Sequence, residues 1–162
     1  MNYSNQYVRR QDRTLDQQRA FDILQHGEYG VLSMQAEDGK GAYGIPLSYV
    51  WNGERSIYVH CAPSGRKLEC IDSCELVSFC VVGRTNLVAE MFTTGYESIV
   101  MRCSAFHHLP ETERREALEL FLGKYCPQHK ALGMQYAEKS FYRTEIIRLD
   151  IHELSGKAKN LF

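Results

Sequence analysis

The chain has 162 residues, with 19 Lys and Arg against 20 Asp and Glu and a formal net charge of -1. That length suits one domain, able to bury about 70% of the surface its unfolded chain exposes. The charge balance excludes a general nucleic-acid binder, which carries a basic excess or stripe. No apolar run is long enough to cross a bilayer, and the polar start Met1–Tyr7 has no apolar signal core. A cytoplasmic protein with no membrane and no nucleic-acid partner is therefore expected. In that setting the six cysteines (Cys61, Cys70, Cys74, Cys80, Cys103, Cys126) read as thiols. No C-x-x-C pair occurs, Cys70 and Cys74 lack a second ligand pair, and no metal site is expected.

In chain order, residues 1–13 show no periodicity and predict a flexible arm, leaving 14–157 as a single domain and 158–162 as a tail. Apolar spacing predicts a helix over 14–25, with Thr14 and Gln17 resembling a capping box and Gly27 as its stop. Residues 29–35 read as a strand, Asp38-Gly39 as a hairpin turn, and 42–51 as the second strand. Alternation divides that strand into two faces. Tyr43, Ile45, Leu47, Tyr49 and Trp51 lie on one, and the small residues Ala42, Gly44, Pro46 and Ser48, with Val50, on the other. A face of small side chains leaves backbone open to a flat ring. Gly44 and Pro46 can equally be there to bend a barrel strand, and Pro46 marks an edge or bulge.

Asn52-Gly53 turns the chain into the strand Ser56–Cys61. That strand leads through Ala62-Pro63-Ser64-Gly65 into a short helix ending near Asp72. A helix start offers unpaired N–H groups and positive dipole to an anion. Gly65 permits close approach and Arg66 or Lys67 neutralises charge. The segment thus reads as a phosphate seat with His60 at its lip. It reads equally as an ordinary solvated helix start, and neither a Walker loop nor a G-x-G-x-x-G fingerprint is present to decide.

Residues 76–82 form a strong strand, and 83–94 lack a period and predict a loop of the kind that carries function. Strand 95–104 puts Glu97 on the same face as Ile99, Met101 and Cys103. A carboxylate there needs a partner such as Arg84 or Arg102, or an open strand end. Pro110 opens an amphipathic helix with Ala117, Leu120, Phe121 and Lys124 along it, ended by Cys126-Pro127. A short helix over 128–134 and a closing strand over 143–154 follow, then an exposed basic tail from Ser155 to Lys159. Six antiparallel strands with tight turns and peripheral helices predict a mainly β fold, a small barrel.

Together the segments Tyr43-Gly-Ile-Pro-Leu-Ser-Tyr49, Ile57-Tyr-Val-His-Cys-Ala-x-x-Gly-Arg-Lys67, Val77-Ser-Phe-Cys-Val81, Tyr96-Glu-Ser98, Lys124-Tyr-Cys-Pro127 and Ile-x-x-x-x-Gly-Lys157 resemble a known family. It is the flavin-binding split-barrel proteins of the pyridoxamine 5′-phosphate oxidase type, nearest the Nim-type 5-nitroimidazole resistance nitroreductases. The resemblance implies a six-stranded antiparallel split β-barrel and a homodimer binding FMN, with FAD possible, in a groove between subunits. It places the flavin phosphate at Gly65 and Lys67, helped by Ser64 and Arg66, and the ring along Gly44, Ile45, Pro46, Leu47 and Ser48. His60 would lie beside flavin and substrate as the catalytic residue, with Tyr96 and Ser98 bordering the site across the dimer. The implied activity is flavin-dependent reduction of a small-molecule acceptor, such as a 5-nitroimidazole. Oxidation of a pyridoxamine-phosphate-like amine and a non-catalytic flavin-sensing role are the alternatives. The amine chemistry needs a further basic pocket, for which no arginine cluster is evident.

Overall fold

The structure, a computed structural model, describes residues 1–161. In chain order its elements are β1 (Asn2–Tyr3), α1 (Gln17–His26), β2 (Tyr29–Gln35), β3 (Ala42–Ser48), β4 (Val50–Trp51), β5 (Ser56–Cys61) and α2 (Arg66–Ser73). They continue with β6 (Leu76–Val88), β7 (Thr93–Phe106), α3 (Glu111–Tyr125), α4 (Lys130–Ser140) and β8 (Glu145–Lys159). All eight strands join one sheet in the order β3-β2-β6-β7-β8-β5-β4, and β1 adds to β8 in parallel. The other pairings are antiparallel. Six long strands thus make the expected antiparallel split barrel, and two two-residue strands extend it. The sheet coils until β3 comes within 8 Å, Cα to Cα, of β5, without a hydrogen-bonded ladder to close it.

Alternation decides which residues fill the barrel. Leu32, Phe79, Val81, Ile99, Met101, Ile147, Leu149 and Ile151 point inward and are almost wholly buried, with Ala20, Ile23 and Leu24 of α1 closing one end. A second cluster, Val50, Tyr58, Ala117, Phe121 and Ile146, seats α3 on the outside of β5 and β8. Leu120, expected on the apolar face of that helix, is 38% exposed. No helix among the described residues is long and apolar enough to cross a membrane.

Several expectations are corrected. Helix α1 begins at Gln17, because the Asp16 side chain accepts the Arg19 N–H at 2.8 Å. Thr14 instead bridges to Lys157 on β8, so no capping box forms. The start of the arm expected over residues 1–13 lies against the sheet. Asn2 and Tyr3 pair with Glu153 and Leu154, Tyr3 Oη donates to the Leu15 carbonyl, and the Gly156 N–H donates to Asn5. The tail from Ser155 is a continuation of β8, with Gly156 and Ala158 buried. Helix α4 is longer than the expected 128–134.

The stretch 83–94 is mostly strand. Its period is hidden by a bulge between Val82 and Thr85, where one extra residue breaks the register that alternation relies on. The bulge turns the Arg84 N–H onto Glu97 Oε1 at 3.1 Å. Gly83 lies so close that a Cβ there would meet Glu97 Cγ at 2.7 Å. Glu97 is buried, and its principal partner is Arg19 of α1, which donates from Nε to Oε2 at 3.0 Å and from Nη2 to Oε1. Arg84 Nε adds a third side-chain bond at 3.2 Å. Arg84 was among the expected partners, and Arg102 is exposed on the opposite face. Burial raises the Glu97 pKa, but the bonds from Arg19 and Arg84 outweigh it and leave the carboxyl below its usual range.

Candidate functional site

The small face of β3 is open. Ala42, Gly44, Pro46 and Ser48 are exposed, while Tyr43, Ile45 and Leu47 turn inward against the core. Ile45 and Leu47, expected along a flavin ring, can therefore offer it backbone only. A Cβ on Gly44 would come into ordinary contact with Val31 Cγ1 at 3.8 Å and Ser33 Oγ at 3.9 Å, so the glycine keeps this face of the strand low. β3 is an edge of the sheet, which accommodates a proline that cannot donate to a ladder.

The turn after β5 places the second half of the site. Gly65 is the N-cap of α2 with φ 133° and ψ 168°, a conformation that glycine alone adopts without strain. No side chain caps this helix end, and a Cβ at Gly65 would meet nothing within 4 Å. The Leu68 N–H is bonded to the Gly65 carbonyl at 2.9 Å, and the Arg66 and Lys67 N–H groups before it have no capping side chain, so an anion would be stabilised there. Ser64 and Gly65 are exposed and Lys67 is half-buried, close enough to the Cys61 thiol for its charge to act on it. Burial pushes that thiol's pKa up, against the opposing effect of Lys67. Arg66 is committed elsewhere. Its Nε donates to Glu37 at 3.1 Å and its guanidinium lies 4.8 Å from the Tyr43 ring centroid. Its part is to tie the helix start to the β2–β3 hairpin, bringing seat and open face together.

His60 is the last residue but one of β5, on the strand that leads into this seat. Its ring meets Phe121 edge-on at 4.8 Å and 89°. The residue is exposed at the surface, yet enough protein surrounds the ring that desolvation, and next the charge of Lys67, lower its pKa. At pH 7 the neutral imidazole dominates, which suits a hydrogen-bonding group better than a ready general acid. Phe121, Lys124 and Tyr125 of α3 complete the surroundings and were not expected here. Tyr125 Oη receives the Tyr49 N–H at 3.0 Å and lies 2.6 Å from the Glu28 carbonyl. Lys124 Nζ donates to the Tyr49 carbonyl at 2.9 Å, and burial brings its pKa down to about 8. These bonds pin the corner where β3 gives way to β4, next to Ser48.

Tyr96 and Ser98 are elsewhere on the same chain. They pair with Lys159 and Lys157 of β8, whereas His60 and Cys61 pair with Ile146 and Glu145. From Ile146 to Lys157 is about 36 Å of strand at about 3.3 Å per residue. One chain does not bring these two residues to the seat. A cavity of about 910 Å³ lies between α1 and α3, lined by His26, Trp51, Glu119 and Lys124 among others, and holds none of the expected binding residues. The exposed face of β3 and the start of α2, which Arg66 ties together through Glu37 and Tyr43, flank the candidate groove, with His60 on the strand that leads into α2.

The profile of the family described as pyridoxamine 5′-phosphate oxidase matches residues 16–158. The chain belongs to this family. No curated protein matches the sequence significantly. Among solved structures, it is similar to a candidate 5-nitroimidazole antibiotic resistance protein from Bacteroides thetaiotaomicron, with 17% identity and a TM-score of 0.70 over 90% of this chain and 86% of that one. It is also similar to a FAD-binding protein from Mesorhizobium loti, with 21% identity and a TM-score of 0.67 over 91% and 98%. A flavocytochrome from Azotobacter vinelandii matches at 19% identity and a TM-score of 0.72, over 90% of this chain and 68% of that one. At these identities the likeness establishes the fold.

Proposed function

We propose that the chain is a flavin-dependent oxidoreductase that binds FMN or FAD and reduces a small acceptor, with 5-nitroimidazole-type compounds as the acceptor class. The observation that carries this reading is the pairing of the exposed small-residue face of β3 with the uncapped start of α2. A flavin needs both a flat surface for its ring and a seat for its phosphate. Gly65 and Lys67 would hold the phosphate, Ser64 would add a hydroxyl donor, and Gly44, Pro46 and Ser48 would lie under the ring. A bound flavin would supply two-electron redox chemistry. His60, neutral at pH 7, would orient the acceptor by a hydrogen bond and pass it a proton as the pH falls through its lowered pKa.

A homodimer fits the same face. Directly opposed residues of antiparallel strands project to one side, so Pro46, Val31, Cys80 and Val100 form a continuous row across β3, β2, β6 and β7. Val31 and Val100 are 36% and 42% exposed, and Leu76, Val82 and Tyr29 extend the apolar surface around them. A second copy against this row would cover it and could supply Tyr96 and Ser98 to the groove, which one chain cannot do for itself.

Family membership also favours a second reading, oxidation of a pyridoxamine-phosphate-like amine, which requires another anionic seat for the substrate. Anaerobic turnover separates the readings. The flavin-loaded protein is chemically reduced, then mixed with a 5-nitroimidazole or, in oxidised form, with pyridoxamine phosphate. Loss of nitro absorbance at a rate slowed by His60→Ala supports the first reading. Turnover of the amine alone supports the second, and inertness to both leaves a non-catalytic flavin-binding module.

A further inference from the structure

Beyond the groove, the ends of β7 and β8 gather three metal-binding side chains. Phe106 is paired with Arg148, so the residues following β7 run beside the start of β8. His107, His108 and Glu145 each present a ligand atom there, all within 4.8 Å of one another. The His107 side chain is only 6% exposed. Its Nε2 lies 2.7 Å from Asp72 Oδ1 at the end of α2, and its Nδ1 is buried with no hydrogen-bond partner. An imidazole that donates one ring N–H to a carboxylate directs the lone pair of its other nitrogen outward, which is how metal-binding histidines are commonly held. His108 lies against His107 with ring centroids 4.0 Å apart and the planes tilted by 48°, and its Nδ1 is 3.6 Å from Glu145 Oε2. Glu145 is buried, and its Oε1 accepts the Ile146 N–H at 2.9 Å.

We propose that His107, His108 and Glu145 form a binding site for a zinc-like first-row transition-metal dication, with Asp72 orienting His107. Two imidazoles and a carboxylate suit zinc and its neighbours rather than magnesium or calcium, which take all-oxygen sets. The charged groups around the site are Asp72, Glu145 and Arg114. Arg114 Nε lies 3.9 Å from Glu145 Oε1, and its Nη2 is held by the carbonyls of Phe141 and Thr144. With both histidines neutral these groups sum to one negative charge, which a dication complements. Metal–ligand bonds of about 2.0–2.2 Å in a tetrahedron put donor atoms about 3.4 Å apart. The His108–Glu145 spacing is already near that value. The His108 side chain, 76% exposed, can swing to close the rest, with water in the fourth position. A bound ion would fasten the end of α2 to β7 and β8, directly across the β5–β8 ladder from Cys61 at the flavin seat.

The test uses the full chain, freed of metal by chelation and kept reduced. Zinc is titrated calorimetrically, and cobalt is followed by its visible absorption. The expected result is one zinc per chain, no competition from excess magnesium, and a cobalt spectrum of nitrogen and oxygen ligands. His108→Ala, a surface change that keeps the fold by circular dichroism, is expected to weaken zinc at least tenfold, and Asp72→Asn about tenfold. Absence of binding would overturn the proposal. So would affinity unchanged in both variants, or a thiolate charge-transfer band assigning the metal to the cysteines.

Discussion

Replacing Glu97 by glutamine tests whether the fold depends on one buried carboxylate held by two arginines. The substitution keeps the shape and one oxygen for the Arg84 N–H, and removes the charge that Arg19 and Arg84 engage. Breaking a fully buried pair costs about 3–5 kcal/mol. Here the arginine side chains left behind are 36% and 63% exposed and can rehydrate. Charge-assisted hydrogen bonds contribute about 1.5–3 kcal/mol each at most, so a net loss of about 2 kcal/mol is expected. For a domain of this size that lowers Tm by about 4–8 °C. Urea unfolding followed by circular dichroism measures it. The sign with pH is also fixed. Because the folded-state pKa of Glu97 is lowered, its stabilisation is complete above the ordinary carboxyl pKa and is lost as pH falls through the lowered folded value. The wild-type advantage over Glu97→Gln should shrink over that acid range. A variant as stable as wild type at neutral pH would refute the reasoning.

Gly65→Ala places a side chain at φ 133° in open space, so backbone strain alone should cost about 1–3 kcal/mol by urea unfolding; flavin affinity should fall with it. Lys67→Ala should keep the fold and weaken FMN binding about tenfold or more in a fluorescence titration, from the loss of one charge-assisted bond; undiminished affinity would remove Lys67 from the seat. Tyr49→Phe leaves the Leu24 carbonyl, 2.7 Å from the hydroxyl, without its partner inside the core and should cost about 1–2 kcal/mol.

What the sequence made legible was what repeats locally. Alternation placed Glu97 correctly among Ile99, Met101 and Cys103, and separated the open face of β3 from its buried one. The strand, turn and helix start around Gly65 were equally plain, because each signal sits within a few residues of the next. The rest depends on pairings far apart in the chain. Arg19 meets Glu97 across 78 positions, and Asp72 meets His107 across 35. Neither union leaves a spacing to read. The bulge at Gly83 and Arg84 erased the period that would have extended β6. Asn2 and Tyr3 order themselves only against β8, which comes 150 residues later, and local composition there is that of a loose arm. Arg66, a sound phosphate ligand by residue type, is drawn to Glu37 on the neighbouring hairpin.

The central claim is that the groove between β3 and α2 binds a flavin. Purified protein should be examined for visible absorbance, and the metal- and nucleotide-free chain titrated with FMN and with FAD. Saturation at one flavin per chain, with quenched flavin fluorescence and loss of affinity in Lys67→Ala, is the predicted result. Colourless protein that takes up neither nucleotide would contradict the account.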